Sequence, residues 1–194
     1  MERPNMRMSR EAMAESHEKI VAAAARLLRE RGIEQTSVGD VMKAAGMTHG
    51  GFYRHFRSKE ALVAEAAQAA FRSKTEDIDK TAAARGADAA IAAYVKDYLS
   101  DGHVDNPGIG CPIAALGIEA GRLRSDVSSA FAAGVDAIFQ RFVAAHAGGD
   151  RAARHAALRR LAMMVGAVVI ARAVGDVPLR TEVLKACRAV DDPA

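Results

Sequence analysis

Apolar residues recur along this chain at helical spacing, and glycine, proline and hydroxyl-bearing residues divide the pattern into segments. Residues 15–31 place Ile20, Ala24, Leu27 and Leu28 on one face and end at Gly32, with Ile33 positioned to close a small core. In residues 37–45, Val38, Val41, Met42 and Ala45 fall at i, i+3, i+4 and i+7. Thr36 and Ser37 precede that stripe, where a hydroxyl can cap free N–H groups. Gly46 follows it, where glycine accepts the left-handed conformation of a C-cap. Thr48 is placed to cap a second short helix bearing Phe52 and Phe56, and Ser58 a third that begins at Lys59. The third meets no breaker until about residue 80. At about 1.5 Å per residue it spans roughly 30 Å, long enough to carry a signal as a rotation.

Residues 86–99 read as another helix through Ala90, Ile91, Tyr94, Val95 and Tyr98. The stretch SDGHVDNPGIGCPI at 100–113 carries three glycines and two prolines, and reads as an ordered turn or a mobile loop. Helices are then expected at 112–122, 126–147, 151–174 and 179–190. No segment reads as a strand, so the expected class is all-α.

Two capped helices joined by a short turn containing glycine make a helix-turn-helix, whose second helix usually enters the DNA major groove. The polar face of that helix carries His49, Tyr53, Arg54, His55 and Arg57, and no carboxylate occurs between Asp40 and Glu60. Such a face is attracted to a polyanion. The free N–H groups at the start of the third helix, beside Lys59, suit a phosphate.

The run TSVGDVMKAAGMTHGGFYRHFRSKEAL resembles the DNA-binding signature of the TetR family of bacterial repressors over residues 19–62. The resemblance implies a homodimeric, ligand-released transcription factor. Thr36, Tyr53, His55 and Lys59 fall at positions of phosphate contact, and Thr48, His49, Gly51 and Arg54 where bases or phosphates are met. Ser37 and Lys43 complete the expected DNA-contact set, while Phe52, Phe56 and Leu62 match buried positions. The pair Gly50-Gly51 departs from the pattern, since many members have one glycine followed by Thr, Ser or Ala. The second glycine costs up to ~1 kcal/mol of helix stability and removes a side chain near the bases. The segment GCPIAALGIEAG resembles a piece that borders the ligand cavity in one branch of the same family.

Charge supports this division. Residues 1–59 hold 11 Lys+Arg against 7 Asp+Glu, a balance of +4, while residues 60–194 hold 16 against 17. Two cysteines are too few for a disulfide framework. The polar opening segment is no signal peptide, and the longest apolar run, 161–171, is shorter than the ~20 residues a membrane span needs. A soluble, cytoplasmic protein without membrane contact is expected. Six histidines show no metal-ligand spacing, and neither a glycine-rich phosphate loop nor a Gly-x-Ser-x-Gly motif occurs. No enzyme, metal or cofactor is expected.

Cys111 stands before Pro112, a residue at home in the first helical position, so its thiol falls near free N–H groups that favour thiolate. An oxidant- or electrophile-sensing cysteine would suit that place. A small apolar residue packed at a turn suits it better, since no second cysteine lies close in sequence.

The second half of 151–174 is apolar nearly all round and must be covered on all sides. Part of that cover is expected from a second subunit, through Phe131, Val135, Ile138, Phe142, Leu161, Val165, Val168 and Val169. The expected effector cavity is lined by Tyr94, Tyr98, Cys111, Ile113, Leu116, Phe139 and Met163. The whole reads as a flexible basic arm at 1–14 with Arg3, Arg7 and Arg10, a helix-turn-helix DNA-binding domain at 15–58, and an effector-binding and dimerisation domain at 59–194, linked by helix 59–80. Its expected partners are a palindromic double-stranded operator, a small-molecule effector of unknown identity and a second copy of itself. The alternative of a different class is a helical carrier or interaction protein without specific DNA readout.

Overall fold

The computed structural model describes residues 10–123, 126–146 and 150–189. Arg3 and Arg7 lie outside that range, whereas Arg10 opens the first helix, α1 (Arg10–Arg31), five residues before its expected start. Helix α1 buries Ile20, Ala24, Leu27 and Leu28, the expected face, and ends at Gly32 with φ +89°.

Helix α2 (Val38–Ala44) is opened by a reciprocal cap: the Asp40 N–H donates to Ser37 Oγ at 3.1 Å, and the Ser37 N–H donates to the Asp40 carboxylate at 3.0 Å. It closes through Ala45 onto Gly46, whose φ of +73° is the left-handed turn expected there. The following segment, His49–Arg54, is a 3₁₀-helix with no side-chain cap from Thr48, where a capped helix was expected. Two adjacent glycines weaken α-helical propensity, and six residues are too few to nucleate a stable α-helix.

Helix α3 (Lys59–Arg85) starts as expected, with the Ala61 N–H donating to Ser58 Oγ at 3.1 Å. It runs five residues further than expected, because the first true breaker is Gly86, at φ +86°. Helix α4 (Ala87–Tyr98) follows directly. The stretch expected as an irregular loop contains helix α5 (Asp101–Asp105), opened by Ser100 accepting from the His103 N–H, and a 3₁₀ turn at Pro107–Ile109. Cys111 then takes the N-cap position of α6 (Pro112–Arg122), without a side-chain cap bond. Helices α7 (Asp126–Ala144), α8 (Arg151–Val174, capped by Asp150) and α9 (Pro178–Ala189) are the last among the described residues.

The most extensive packing sets α3 against α7. There Gly134 admits the Phe71 ring so closely that a Cβ would lie 2.2 Å from Phe71 Cδ2, and Phe131 meets the same ring edge-on at 5.2 Å. One apolar cluster runs from α1 and α2 through α3 into α7 and α8, so the helix-turn-helix end shares its core with the rest.

This core corrects the expected dimer interface. Ile138, Phe142 and Val168 are wholly buried within the single chain, and Phe131 and Leu161 are buried beside them. Helical periodicity marked these as apolar correctly, but the packing of α7 on α3 and of α8 on α9 and α7 covers them within the chain. Val135 and Val165 are half-buried, and Val169 is 39% exposed. The apolar residues that α8 turns outward are Leu158, Val169 and Ile170. Among the described residues no helix is long and apolar enough to cross a membrane.

Candidate functional site

The turn and 3₁₀-helix after α2 rest on two aromatic anchors. Phe52 and Phe56 are buried and stack at 5.5 Å, and His17 of α1 stacks on Phe56 at 4.6 Å while its Nε2 meets Glu65 of α3 at 2.7 Å. With the apolar side pinned, the polar side faces out: Lys43, Thr48, His49, Gly50, Tyr53, Arg54 and Arg57 are exposed, Tyr53 at 74%. Gly51 and His55 are half-buried at its margin. Burial, then His17 and Arg54, hold the His55 imidazole below the usual histidine range, so at neutral pH it is an uncharged hydrogen-bonding group. Asp40, the carboxylate preceding it in sequence, is held in the α2 cap. The result is an exposed face of donors and cations, the electrostatic requirement for lying against phosphates.

The double glycine is not a packing necessity. A Cβ at Gly50 would stand in open space, and one at Gly51 would touch Met42 Cε at an ordinary 3.6 Å. It thins the face chemically and leaves its support unchanged.

Three residues expected at the DNA make hydrogen bonds to the chain itself. Thr36 is 1% exposed, and its hydroxyl donates to the Gly32 carbonyl at 2.7 Å. Lys59 Nζ donates to the Ile33 carbonyl at 2.6 Å, and Ser37 is occupied by the α2 cap. Thr36 therefore closes the turn after α1 on itself, and Lys59 latches that turn to the start of α3, because the chain between α1 and α2 leaves carbonyls that need donors.

Two further ties, between residues far apart in sequence, join this end to the remaining helices. Glu119 of α6 accepts from the Ile33 N–H at 2.9 Å and lies so close to Gly32 that a Cβ there would come 2.8 Å from its carboxylate. Arg29 of α1 donates through Nε and Nη2 to the Gly108 carbonyl, the Nε bond being 2.9 Å. Helical spacing carries no sign of either pairing.

The expected effector residues divide. Tyr94, Tyr98 and Cys111 come together: the two rings are 5.7 Å apart, Tyr94 meets Phe142 edge-on, and Cys111 is 1% exposed beside them. His103, which sequence reasoning passed over, completes the group. Its Nδ1 donates to the Tyr98 carbonyl at 2.7 Å, and its Nε2 accepts from the Cys111 N–H at 2.9 Å. Both ring nitrogens are satisfied in one neutral tautomer. Burial, aided by Arg172 and Lys74 against the Tyr98 hydrogen bond, pushes its pKa down to about 4. Ile113 and Leu116 belong to the same apolar cluster on α6. Phe139 instead lies under the Arg154 guanidinium at 4.9 Å, and Met163 is half-buried and outside the described cluster. A pocket of about 180 Å³ opens between α3 and α4, with Ile78, Ala90, Ala93 and Tyr94 as its wall and Lys74, Asp77, Thr81 and Asp97 completing its lining. A wider cleft of about 600 Å³ separates the His55–Arg57 segment from α7, and an ion pair of 2.6 Å between Arg57 and Asp126 bridges it.

Residues 20–66, which hold this helix-turn-helix, match the profile of the bacterial regulatory proteins of the tetR family. A helix-turn-helix transcriptional regulator of Mycobacterium tuberculosis strain H37Rv is 33% identical over 169 residues, covering 82% of this chain and 85% of the relative. The chain belongs to the tetR family. It is thus a DNA-binding regulator of transcription, and its all-α architecture is that of solved relatives. A TetR regulator from Chloroflexus aurantiacus superposes with a TM-score of 0.74 at 26% identity, over 91% of this chain and 92% of that one. The reduced form of E. coli NemR shares the fold, with a TM-score of 0.76 at 22% identity over 91% and 94% of the two chains.

Proposed function

We propose that this tetR-family regulator is a cytoplasmic repressor that binds a palindromic operator as a homodimer and leaves it when a small molecule binds. The observation that carries the reading is the exposed face of Lys43, Thr48, His49, Tyr53, Arg54 and Arg57, free of unpaired carboxylates and pinned from behind by Phe52 and Phe56. Arg54 and His49 read base edges, with Lys43 and Tyr53 on the phosphates. A second copy covers Leu158, Val169 and Ile170 on α8, and the two-fold axis sets the 3₁₀-helices about one DNA turn apart. The head reaches residue 58 and the effector-binding and dimerisation part begins with α3. An effector near Tyr94 and Tyr98 acts on the head through the 100–111 segment, which ends on Arg29, and through α6, which ends on Ile33. Coupling of ~1–3 kcal/mol is enough to release an operator held near threshold.

The test is binding of the purified protein to a fluorescent duplex from upstream of its own gene and to a scrambled duplex, at two salt concentrations. The repressor reading expects preference for the upstream duplex that persists at the higher salt. Equal, steeply salt-sensitive binding to both refutes base readout by this face.

A further inference from the structure

The hydroxyl oxygens of Tyr94 and Tyr98 are buried and have no hydrogen-bond partner among the described residues. Buried polar groups are nearly always paired, so two unpaired phenols one helical turn apart require an explanation. Tyr98 is 2% exposed, and both hydroxyls lie beside the Cys111 thiol, a weak partner at best. Tyr94 also forms part of the wall of the 180 Å³ pocket between α3 and α4, so it stands between the buried Tyr98 and a route from solvent.

The surroundings define what could satisfy them. Burial, and the Cys111 thiol after it, push both phenols well above the usual tyrosine range, so they remain neutral donors. Among the described residues, the arginines and the histidine nearest the phenols are already engaged. Arg172 donates to the carbonyls of His103 and Val104, Arg29 to that of Gly108, and His103 is neutral with both nitrogens engaged. Lys74 lines the pocket together with Asp77 and Asp97, so the carboxylates outnumber the cation there. A carboxylate or phosphate brought here would be an uncompensated buried charge. His103 is not free to activate the thiol, since its Nε2 is taken by the Cys111 N–H. The group is thus arranged for recognition by donors, not for covalent capture.

We propose that Tyr94 and Tyr98 are the polar end of a ligand site for a small uncharged carbonyl compound, a ketone, aldehyde or ester, whose oxygen accepts from the two phenols. A pocket of 180 Å³ is below the usual range for drug-sized ligands, and points to a molecule of about ten non-hydrogen atoms. This names the effector's chemical class and rests on the effector-release reading above.

The experiment titrates the purified full-length protein, without DNA, with acetophenone, cyclohexanone and benzaldehyde. The comparison set is ethylbenzene, methylcyclohexane and benzoate, which keep the shapes but lack the oxygen or carry a charge. The same titrations are run on Tyr94→Phe/Tyr98→Phe, whose fold is checked by its melting temperature. The expected result is that at least one carbonyl compound binds, that the double variant binds it five-fold or more weakly, and that affinity for the hydrocarbons is unchanged. Benzoate should not bind. Equal affinity for carbonyl and hydrocarbon probes, equal loss of both in the variant, or binding of neither overturns the assignment, leaving the phenols as merely hydrated core residues. Operator release is then measured separately with the compound that binds. Tyrosine-dependent binding without release upholds this site and refutes the repressor's effector link.

Discussion

The α3–α7 crossing offers a sharp physical test, because at Gly134 two ordinary rules give opposite signs. In an isolated helix, glycine to alanine is stabilising by ~1 kcal/mol. At Gly134 the added methyl would lie 2.2 Å from Phe71 Cδ2, 2.3 Å from Cγ and 2.7 Å from Cε2. Phe71 cannot swing aside, being 2% exposed with Phe131 set edge-on against it at 5.2 Å. The two helices must therefore part by about 1 Å to restore contact distance, and overpacking of this kind costs ~1–3 kcal/mol. Net of the propensity gain, Gly134→Ala should destabilise by up to about 2 kcal/mol, lowering the melting temperature by as much as roughly 8 °C for a chain of this size. Circular dichroism melts at one fixed protein concentration would read it, so that subunit association does not enter the comparison. Gly117→Ala in α6 is the control, because its methyl would meet only Ile113 Cγ2 at 3.8 Å, and it should raise the melting temperature. Pairing Gly134→Ala with Phe71→Leu should cost less than the sum of the two single changes. A rise in melting temperature for Gly134→Ala, or additivity of the pair, would refute the close crossing.

Three other expectations follow from residues already placed. His103 binds its proton only near pH 4 when folded but near 6.5 when unfolded, so between those values the unfolded chain holds the extra proton. Stability should be complete above pH 6.5 and fall by up to ~3 kcal/mol as pH drops to 4; urea midpoints between pH 7.5 and 4.5 would measure it, and His103→Asn should flatten the slope. On DNA, Arg54→Ala should change the preference among operator variants, by ~1–3 kcal/mol at one position, while Lys43→Ala weakens all sequences alike and reduces the salt slope by about one. Identical behaviour of the two would remove Arg54 from base readout. Glu119→Ala leaves the Ile33 N–H without its acceptor, so hydrogen exchange at that amide should quicken several-fold while amides inside α7 are unaffected.

The helices were legible because their ends are written in local chemistry. Ser37, Ser58 and Asp150 cap, Gly32, Gly46 and Gly86 stop, and each acts within four residues of where it stands. The 3₁₀ character of His49–Arg54 was half-visible in its paired glycines, but a propensity does not say which helix type replaces the α form. Which apolar face meets which neighbour was not legible. Ile138 and Val168 looked the same in sequence as residues awaiting a partner subunit, and only the packing of α7 on α3 and of α8 on α9 and α7 shows them covered. The bonds of Thr36 and Lys59 to the chain itself were hidden for a related reason: a donor near DNA and a donor beside an unmet backbone carbonyl have the same sequence. His103, Arg29 and Glu119 gave no signal, since their partners are backbone groups, two of them 79 and 86 residues away.

The ties at Arg29 and Glu119 bear on how such regulators could be recombined. A hybrid made by cutting before α3 and grafting a foreign reading head would keep the 100–111 segment and α6 but lose what they hold. Gly108 would no longer meet an arginine, and Glu119 would need both a glycine and a free N–H at the end of the incoming first helix. The compatible seam is therefore discontinuous. It takes in the end of α1 together with residues 108 and 119, and a head transplanted with those matched positions should inherit the host's response, whereas one transplanted without them should bind DNA and ignore the effector.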